Sequence, residues 1–249
     1  MQVVQIKNLN FNYGENVIFN NFNLNISEGK FVTILGKNGS GKTTLAKILG
    51  GFYKKNILIY GENDYQNIKV IFDDLDFDGI VMNILINSLK GLDKKEISDR
   101  VIEVSKLFGF DKLLNKDYDT LCLKDKKIVN LGIGILSKPK VLVLDNILEG
   151  LDKKNKNIIL RKLKKLKITV INLSNDVNDA LISDEVVIIG GGKVLLKGSK
   201  KRVLEDENFF ETYDMELPFT VNLSNKLKFY ELIDRVYFDD KKLVDDLWK

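Results

Sequence analysis

The sequence predicts an α/β fold, and three observations support this prediction. A short apolar strand is expected over residues 31–35, and a glycine-rich turn and an amphipathic helix over 44–49 follow it directly. The alternation of apolar and polar residues over 3–11 and 17–26 is typical of half-buried strands. Four apolar residues that end in Asp145 are typical of a fully buried parallel strand. These patterns together indicate a sheet covered by helices.

The turn between that first strand and helix fits the phosphate-binding pattern G-x-x-x-x-G-K-[ST]. Its glycines let consecutive backbone N–H groups point at one phosphate, and the helix start adds partial positive charge. We expect Lys42 to reach the β- and γ-phosphates and the Thr43 hydroxyl to ligate Mg²⁺. A chance glycine turn is the weaker explanation, because both flanking elements are of the required type. The predicted nucleotide-binding residues of this segment are Gly36, Lys37, Asn38, Gly39, Ser40, Gly41, Lys42, Thr43 and Thr44.

Two more residues are candidates for the same site. Asp145 is expected at the carboxyl edge of the sheet, where open α/β sheets bind ligands, and would hold Mg²⁺ with Thr43. The simpler alternative is that Asp145 caps the next helix. Tyr13 follows the first strand and could stack on an adenine ring, or could be an ordinary turn residue. The residues alone leave both alternatives open for Tyr13.

Composition excludes several classes of protein. The chain has 249 residues, of which 44% are hydrophobic and 30% are charged, so a folded core is expected rather than disorder. A net charge of +4 with interspersed signs gives no indication of nucleic-acid binding. Cys122 is the only cysteine, so no internal disulfide can form and a reducing compartment is expected. Neither a membrane span nor a signal peptide is expected.

The rest of the chain is predicted to alternate strands and helices, with an acidic loop over 73–78. Gly109 is expected to end the helix over 94–108, and the lysines of the helix over 155–166 are expected on its solvated face. Pro218 marks a break before two final helices. The further strands are predicted over 57–61, 68–72, 168–173, 186–189 and 193–196, and the further helices over 80–89, 176–182, 220–230 and 241–248.

These features resemble the nucleotide-binding subunit of an ABC transporter over essentially the full length of the chain. The resemblance rests on Tyr13, on the strings GKNGSGKT and VLVLD, on residues 149–152 and on VVIIGGGKVLLKG. The tail, with ELPFTVNLSNKL and KKLVDDLWK, is similar to the C-terminal region of the ATPase subunits of energy-coupling factor (ECF) transporters. The resemblance implies a P-loop NTPase domain of the ABC type over 1–215, followed by a small helical appendage over 216–249. Such a domain has a mixed sheet core, an antiparallel β subdomain and a helical subdomain, here at about 73–137.

The resemblance also implies partners and cofactors. ECF complexes import vitamins and transition-metal ions, and in them two ATPase subunits sandwich two ATP molecules. The pair docks on a membrane T component, which lies beside a substrate-binding S component. The implied cofactors are therefore ATP and Mg²⁺, the implied partners are a second ATPase subunit and the T and S components, and the implied location is the cytoplasmic face of the membrane. The loop over 73–78 and the helices after it would face the T component.

Three positions with catalytic roles depart from the family pattern. Asn146 stands where the catalytic glutamate follows the strand-end aspartate, and an amide cannot accept a proton from the attacking water. Asn175 stands at the switch-histidine position and can offer the γ-phosphate only a neutral hydrogen bond. Asp73 stands at the position of the family's glutamine, where its carboxylate could touch Mg²⁺ but would repel the γ-phosphate.

The signature segment, normally L-S-G-G-Q, departs most from the family pattern. Its serine and glycines place a hydroxyl and bare backbone against the γ-phosphate held by the opposite subunit. Leu123 and Lys124 would put side chains in that space, although Lys124 could compensate partly as a point charge. A different register is the alternative, but no S-G-G string occurs nearby. By register against the downstream helix, the segment falls on Leu121, Cys122, Leu123, Lys124 and Asp125.

These departures predict a subunit that binds Mg-ATP but hydrolyses it weakly, as half of a heterodimer with a competent partner. One alternative is a non-hydrolysing regulatory or structural module, in which ATP binding holds an assembly together. A weaker alternative is a soluble P-loop ATPase, against which the helical insert, Asp145 and the C-terminal tail all count. The transported substrate is not encoded here, because the resemblance assigns specificity to the S component.

Overall fold

Two sheets lie at the centre of the fold. The computed structural model describes residues 1–53, 57–59, 65, 67–73, 76–89 and 93–248, and of 57–59 it describes the backbone alone. In this part of the chain, the smaller sheet contains β1 (Gln2–Tyr13), β2 (Asn16–Ser27) and β4 (Ile57–Ile59), in the antiparallel order β2-β1-β4.

The larger sheet is mixed. Its strands are β3 (Phe31–Leu35), β5 (Ile68–Phe72), β6 (Val141–Asp145), β7 (Thr169–Ser174), β8 (Glu185–Gly190) and β9 (Lys193–Ser199). They follow the order β5-β6-β7-β3-β8-β9, in which β8 and β9 pair antiparallel and the other neighbours pair parallel. Every residue of β3, β6 and β7 is buried, and β3 and β6 are accordingly nearly uninterrupted apolar runs, whereas β7 also buries the polar residues Thr169, Asn172 and Ser174.

The parallel register brings the functional loops to one edge of this sheet. Phe72 of β5 lies opposite Asp145 of β6, Asp145 lies opposite Leu173 of β7, and Ser174 lies opposite Leu35 of β3. Because parallel strands end together, the segments that follow β3, β5, β6 and β7 emerge side by side.

Helices cover the larger sheet and build a separate helical layer. Within the described residues, α2, α3 and α4 contact one another and form that layer, while α1 packs against β5, β6 and β7. No helix in these ranges is both long and apolar enough to span a bilayer. The helices are α1 (Lys42–Leu49), α2 (Val81–Asn87), α3 (Lys94–Phe108), α4 (Leu123–Leu136), α5 (Lys153–Lys164), α6 (Lys200–Leu204), α7 (Glu207–Thr212), α8 (Phe219–Phe229) and α9 (Asp240–Leu247).

The core falls into layers that follow this arrangement. One apolar cluster joins the inner face of the smaller sheet, including Ile6 and Phe22, to Leu45 and Ile48 of α1. A second joins the helical layer to β5, β6 and α5. A third joins Leu35 and Ile188 of the sheet to α6, α7 and α8. The C-terminal helices therefore share buried contacts with the sheet.

Most predicted elements are confirmed, with shifted ends. The α/β class, the mixed sheet and the antiparallel sheet are as predicted, and α3 ends at Gly109, whose φ is 76°. The predicted strand over 57–61 is described as far as Ile59, and residues 60–61 lie outside the described residues. One prediction is refined: the short helix predicted over 176–182 is a 3-10 helix over 177–182. The helices α6 and α7 were not predicted, because each is only one or two turns long.

Candidate functional site

The turn between β3 and α1 forms a loop whose shape depends on its glycines. Gly39 and Gly41 adopt φ values of 79° and 96°, in the left-handed region that glycine tolerates best. A Cβ on Gly36 would lie 2.8 Å from the carbonyl oxygen of Ile189, so a side chain cannot fit there. Gly41 also caps α1, and its carbonyl accepts the Leu45 N–H at 2.8 Å. The loop thus places the start of a helix where an anion would be favoured.

Lys42 lies inside this loop. Its Nζ donates to the carbonyl oxygens of Gly36 at 2.6 Å and Lys37 at 3.1 Å, and to Oγ of Ser40 at 3.4 Å. Burial lowers the pKa of the Lys42 ammonium, while the negative charges of Asp145 and Glu149 act in the opposite direction. A desolvated ammonium held by neutral acceptors gains free energy when an anionic oxygen comes within reach. Lys42 therefore lies inside the loop, and its role in phosphate binding remains a prediction.

Thr43 and Asp145 offer oxygen donors of the kind that Mg²⁺ prefers. Thr43 is exposed in the first turn of α1, and Asp145 ends the neighbouring strand β6 with 6% of its surface exposed. Because α1 packs against β6, Asp145 ends the strand next to the helix that carries Lys42 and Thr43. The residues present therefore fit a magnesium–nucleotide complex, although their role as ligands stays a prediction.

Tyr13 lies beside the same loop. Its ring contacts Phe11 and Tyr53, with centroids 5.0 and 5.9 Å away, and 41% of the residue is exposed. Burial acts to raise the pKa of the Tyr13 phenol, but hydrogen bonds with Tyr53 and Thr44 and the charge of Lys47 lower it. The Thr44 bond places the phenol next to the first turn of α1. Stacking of Tyr13 on adenine remains a prediction, and this placement is compatible with it.

Asn146 and Asn175 meet at one cavity. The cavity has a volume of about 250 Å³ and is lined by both residues, by the segment after β6 and by the end of β7. Asn146 adopts φ of 53°, its N–H donates to the Leu173 carbonyl at 3.1 Å, and its own carbonyl accepts the Glu149 N–H at 2.9 Å. The structure thus brings the two amide-bearing positions together, and their catalytic roles remain predictions.

Asn175 also reaches the phosphate loop. Its Nδ2 donates to Oδ1 of Asn38 at 2.8 Å, so the segment after β7 touches the segment after β3. An amide can make this bond without a charge, whereas the histidine of the family pattern could also carry one. The switch position is therefore hydrogen-bonded to the loop.

Asp73 has a partner that the sequence analysis did not identify. Lys127 of α4 lies 2.6 Å from Oδ1 of Asp73, and the same Nζ donates to the carbonyl oxygen of Glu149 at 2.6 Å. Lys127 lies four residues after Leu123 and four residues before Leu131. This helical spacing places it on the apolar side of α4. A lysine at an apolar position of a predicted helix was the signal that could have revealed this pair.

A second buried lysine supports the end of β7. Lys156 lies 2.8 Å from both Asp176 and Asp179, and Ser174 donates to Asp179 at 2.6 Å. Burial raises the pKa of Asp179 in spite of Lys156. For Asp176, burial also acts to raise the pKa, but the contacts with Lys156 and the hydrogen bonds from Asn178 together lower it. The prediction that the lysines of this helix lie on its solvated face is wrong for Lys156, because its ammonium neutralises a buried carboxylate.

The predicted signature segment lies at the start of α4. Cys122 precedes the helix without a side-chain hydrogen bond to its N–H groups, Leu121 is buried, and Leu123 is 56% exposed. A Cβ on Gly150 would lie 3.5 Å from Cδ2 of Leu123, so this end of α4 rests against the segment after β6. Residues 122–125 are exposed or half-buried, and the alignment of 121–125 with the signature remains a prediction.

Comparisons with known proteins agree with this geometry. The family model described as ABC transporter matches residues 19–149. The chain is 28% identical over 269 residues to the energy-coupling factor transporter ATP-binding protein EcfA1 of Mycoplasma mobile, covering 99% of this chain and 97% of that protein. It is also 28% identical over 266 residues to EcfA of Malacoplasma penetrans, covering 98% of this chain and 93% of that protein.

Solved structures share the fold. The structure of cbiO1 from Clostridium perfringens, titled part of the ABC transporter complex cbiONQ, matches with a TM-score of 0.76 and 29% identity, covering 87% of this chain and 96% of that one. The ADP conformation of MJ1267, an ATP-binding cassette of an ABC transporter, matches with a TM-score of 0.76 and 19% identity. The match covers 87% of this chain and 100% of that one. The second match supports the fold alone.

Proposed function

Since the chain belongs to the ABC transporter family, we propose that it is the ATP-binding subunit of an ECF-like importer that binds Mg-ATP and hydrolyses it weakly. Relatives that align over nearly the whole chain carry the name of ECF transporter ATP-binding proteins. The similar cbiO1 belongs to a transporter complex. Import of a vitamin or a metal ion is the process that such a subunit would energise.

One observation carries nucleotide binding: the buried ammonium of Lys42 inside a loop built on left-handed glycines at a helix start. These groups would bind and orient the phosphates, and Tyr13 would cover the base. Mg²⁺ held by Thr43 and Asp145 would neutralise phosphate charge. The fit of loop, helix and strand end supports ATP and Mg²⁺ as the cofactors.

Weak hydrolysis is supported by the chemistry of the strand-end positions. Asn146 has no group that could take a proton from water, and removal of a general base typically costs about 10²–10⁴-fold in rate. Asn175 is hydrogen-bonded to Asn38 and is neutral. Both defects would occur in both sites of a homodimer, so a competent second ATPase subunit is the partner that we propose.

We propose binding of Mg-ATP as the decisive test. Wild type is expected to bind Mg-ATP in calorimetric titration, and Lys42→Ala to bind at least about a hundredfold more weakly, since it loses a buried charge-assisted contact. The exposed Lys154→Ala controls for the change of charge. Turnover of ATP by the isolated chain at an ordinary transporter rate, unchanged in Asn146→Ala, would contradict weak hydrolysis.

The partners and the location are part of the same proposal. We propose that the subunit is peripheral, on the cytoplasmic face of the membrane, in contact with T and S components. Co-purification with a membrane subunit is expected. A complex that holds no membrane subunit, and that needs ATP but no hydrolysis to persist, would instead favour the regulatory or structural module.

A further inference from the structure

Lys127 is a charged residue in an apolar environment. It lies on α4, two residues beyond the predicted signature segment, and 5% of its side chain is exposed. The residues that follow it along α4, from Ile128 to Leu136, are buried. Removal of a lysine ammonium from water is costly unless the charge is paired and its protons are bonded. The contacts of Lys127 therefore have to explain its position.

Both contacts of Lys127 lie at the edge of the sheet that holds the candidate site. Asp73, 2.6 Å away, directly follows β5, whose last residue lies opposite Asp145. The Glu149 carbonyl, also 2.6 Å away, belongs to the segment after β6 that lines the cavity with Asn146. One ammonium thus joins α4 to the segments after two neighbouring strands.

The negative charge of Asp73 lies at the edge of the sheet where the phosphates of a nucleotide are expected. Its side chain is 41% exposed at an edge that already carries Asp145. Without a partner, the Asp73 carboxylate would add to the negative charge at this edge and oppose the negative charge of a triphosphate. The ion pair with Lys127 removes that net charge, and the Glu149 carbonyl fixes where the ammonium lies.

We infer that Lys127 is a positioning residue, which holds the Asp73 carboxylate in an ion pair against α4 and so keeps it from repelling the phosphates of a bound nucleotide. The inference rests on the proposed function, because it concerns the same nucleotide site. The Asp73–Lys127 pair makes an acidic residue at this position compatible with ATP binding.

A double-mutant cycle on the full chain tests the inference. The affinities for Mg-ATP and Mg-ADP are measured by calorimetry for wild type, Lys127→Met, Asp73→Asn and the double variant. Lys127→Met is expected to lower the affinity for Mg-ATP relative to that for Mg-ADP by roughly tenfold. The reason is that the Asp73 carboxylate, once it has lost Lys127, would repel the γ-phosphate most. In the Asp73→Asn background, the same substitution is expected to change that ratio by less than about twofold.

The matched control is Lys126→Met. This neighbouring lysine pairs with Asp76 at 3.2 Å and not with Asp73, so its loss changes charge equally but is expected to leave the ATP-to-ADP ratio unchanged. Lys127→Gln, whose amide retains a donor for the Glu149 carbonyl, replaces Lys127→Met if the methionine variant does not fold.

Three outcomes would overturn the inference. An equal effect of Lys127→Met in wild type and in the Asp73→Asn background would mean that Lys127 acts directly through its charge. No effect in either background would mean that the pair is purely structural. A wild type that binds neither nucleotide would reject the proposed function and the inference together, whereas the first two outcomes reject the inference alone.

Discussion

Asn146 is the residue on which the proposed loss of hydrolysis depends. Its backbone is held in the left-handed region at φ of 53° by hydrogen bonds to Leu173 and Glu149. Asparagine tolerates this conformation better than most residues. Its side chain lies in the cavity shared with Asn175 but carries an amide instead of a base. The side chain of Asn146 therefore reaches this cavity without a group that could accept a proton from water.

Asn146→Glu is expected to raise ATP hydrolysis. The new carboxylate can accept a proton from water, so phosphate release by the full chain should increase at least about tenfold. Asn146→Gln has the same length and the same backbone strain, about 1 kcal/mol at a positive φ, but no base. Equal phosphate release by the two variants would show that the missing base does not limit the rate.

Asp184 gives a prediction for acid stability. Burial alone would raise the pKa of its carboxyl, but the Phe31 N–H, 2.9 Å away, and Lys164, at 2.9 Å, lower it below the ordinary value of 3.8. A depressed carboxyl pKa stabilises the fold above the unfolded-state value, and the contribution is lost as pH falls through the folded-state value. Asp184→Asn should therefore lower Tm above about pH 5 and by progressively less below about pH 4.

Thermal unfolding of wild type and Asp184→Asn between about pH 2.5 and pH 7 measures this difference. The exposed Asp99→Asn is the matched control, since it removes the same charge from the surface of α3. A Tm difference that stays constant over the whole range would mean that the Phe31 and Lys164 contacts do not depend on the charge of Asp184.

Helix α4 connects the predicted signature segment with the larger sheet. Its first residues form the predicted signature segment, and Lys127 reaches Asp73 from its second turn. Its last turns lie directly against the sheet because Gly134 has no side chain. A Cβ there would collide with Cδ1 of Ile71, and that residue is 1% exposed and cannot move aside. The contact of Gly134 with β5 fixes the distance between helix and sheet.

Gly134→Ala is expected to destabilise the protein by about 1–3 kcal/mol, because overpacking outweighs the better helix propensity of alanine. Urea unfolding measures the free-energy change. Lys106→Ala, at an exposed position of α3, should change it by less than about 0.5 kcal/mol. A Gly134→Ala variant as stable as wild type would contradict the close approach of α4 to β5.

The C-terminal segment contributes to the stability of the entire chain. Val221 of α8 is fully buried in a cluster that also holds Leu35 of β3, Val203 of α6 and Phe210 of α7. A boundary near residue 215 remains a prediction, and the shared cluster indicates that such a boundary would cut through buried contacts.

Truncation after residue 215 is expected to lower the free energy of unfolding by at least about 3 kcal/mol, since several buried apolar side chains lose their cover. Urea unfolding of the two chains gives the difference. Trp248→Ala, which changes a side chain that is 85% exposed, serves as the control and should have little effect. Equal stability of the truncated and full chains would show that residues 216–249 fold independently of the sheet.

Local patterns were sufficient to predict the elements that carry the site. The run 31–50, the apolar strand that ends in Asp145 and the turn at Tyr13 each depend on a few adjacent residues, and the structure places all of them at or beside one sheet edge. These elements could be predicted for a physical reason. A strand buried on both faces needs a run of apolar residues, and a backbone at positive φ favours glycine, so both can be recognised from adjacent residues.

The polar contacts of the site join residues that are distant in sequence. Asp73 and Lys127 are 54 positions apart, and Asn38 and Asn175 are 137 apart. No periodicity encodes such pairs, because they exist only once the strands have aligned and α4 has packed on them. The sequence alone therefore established the α/β class, and it predicted the phosphate loop and the loss of the catalytic base. Folding established which charges neutralise one another, because that depends on distance in space rather than along the chain.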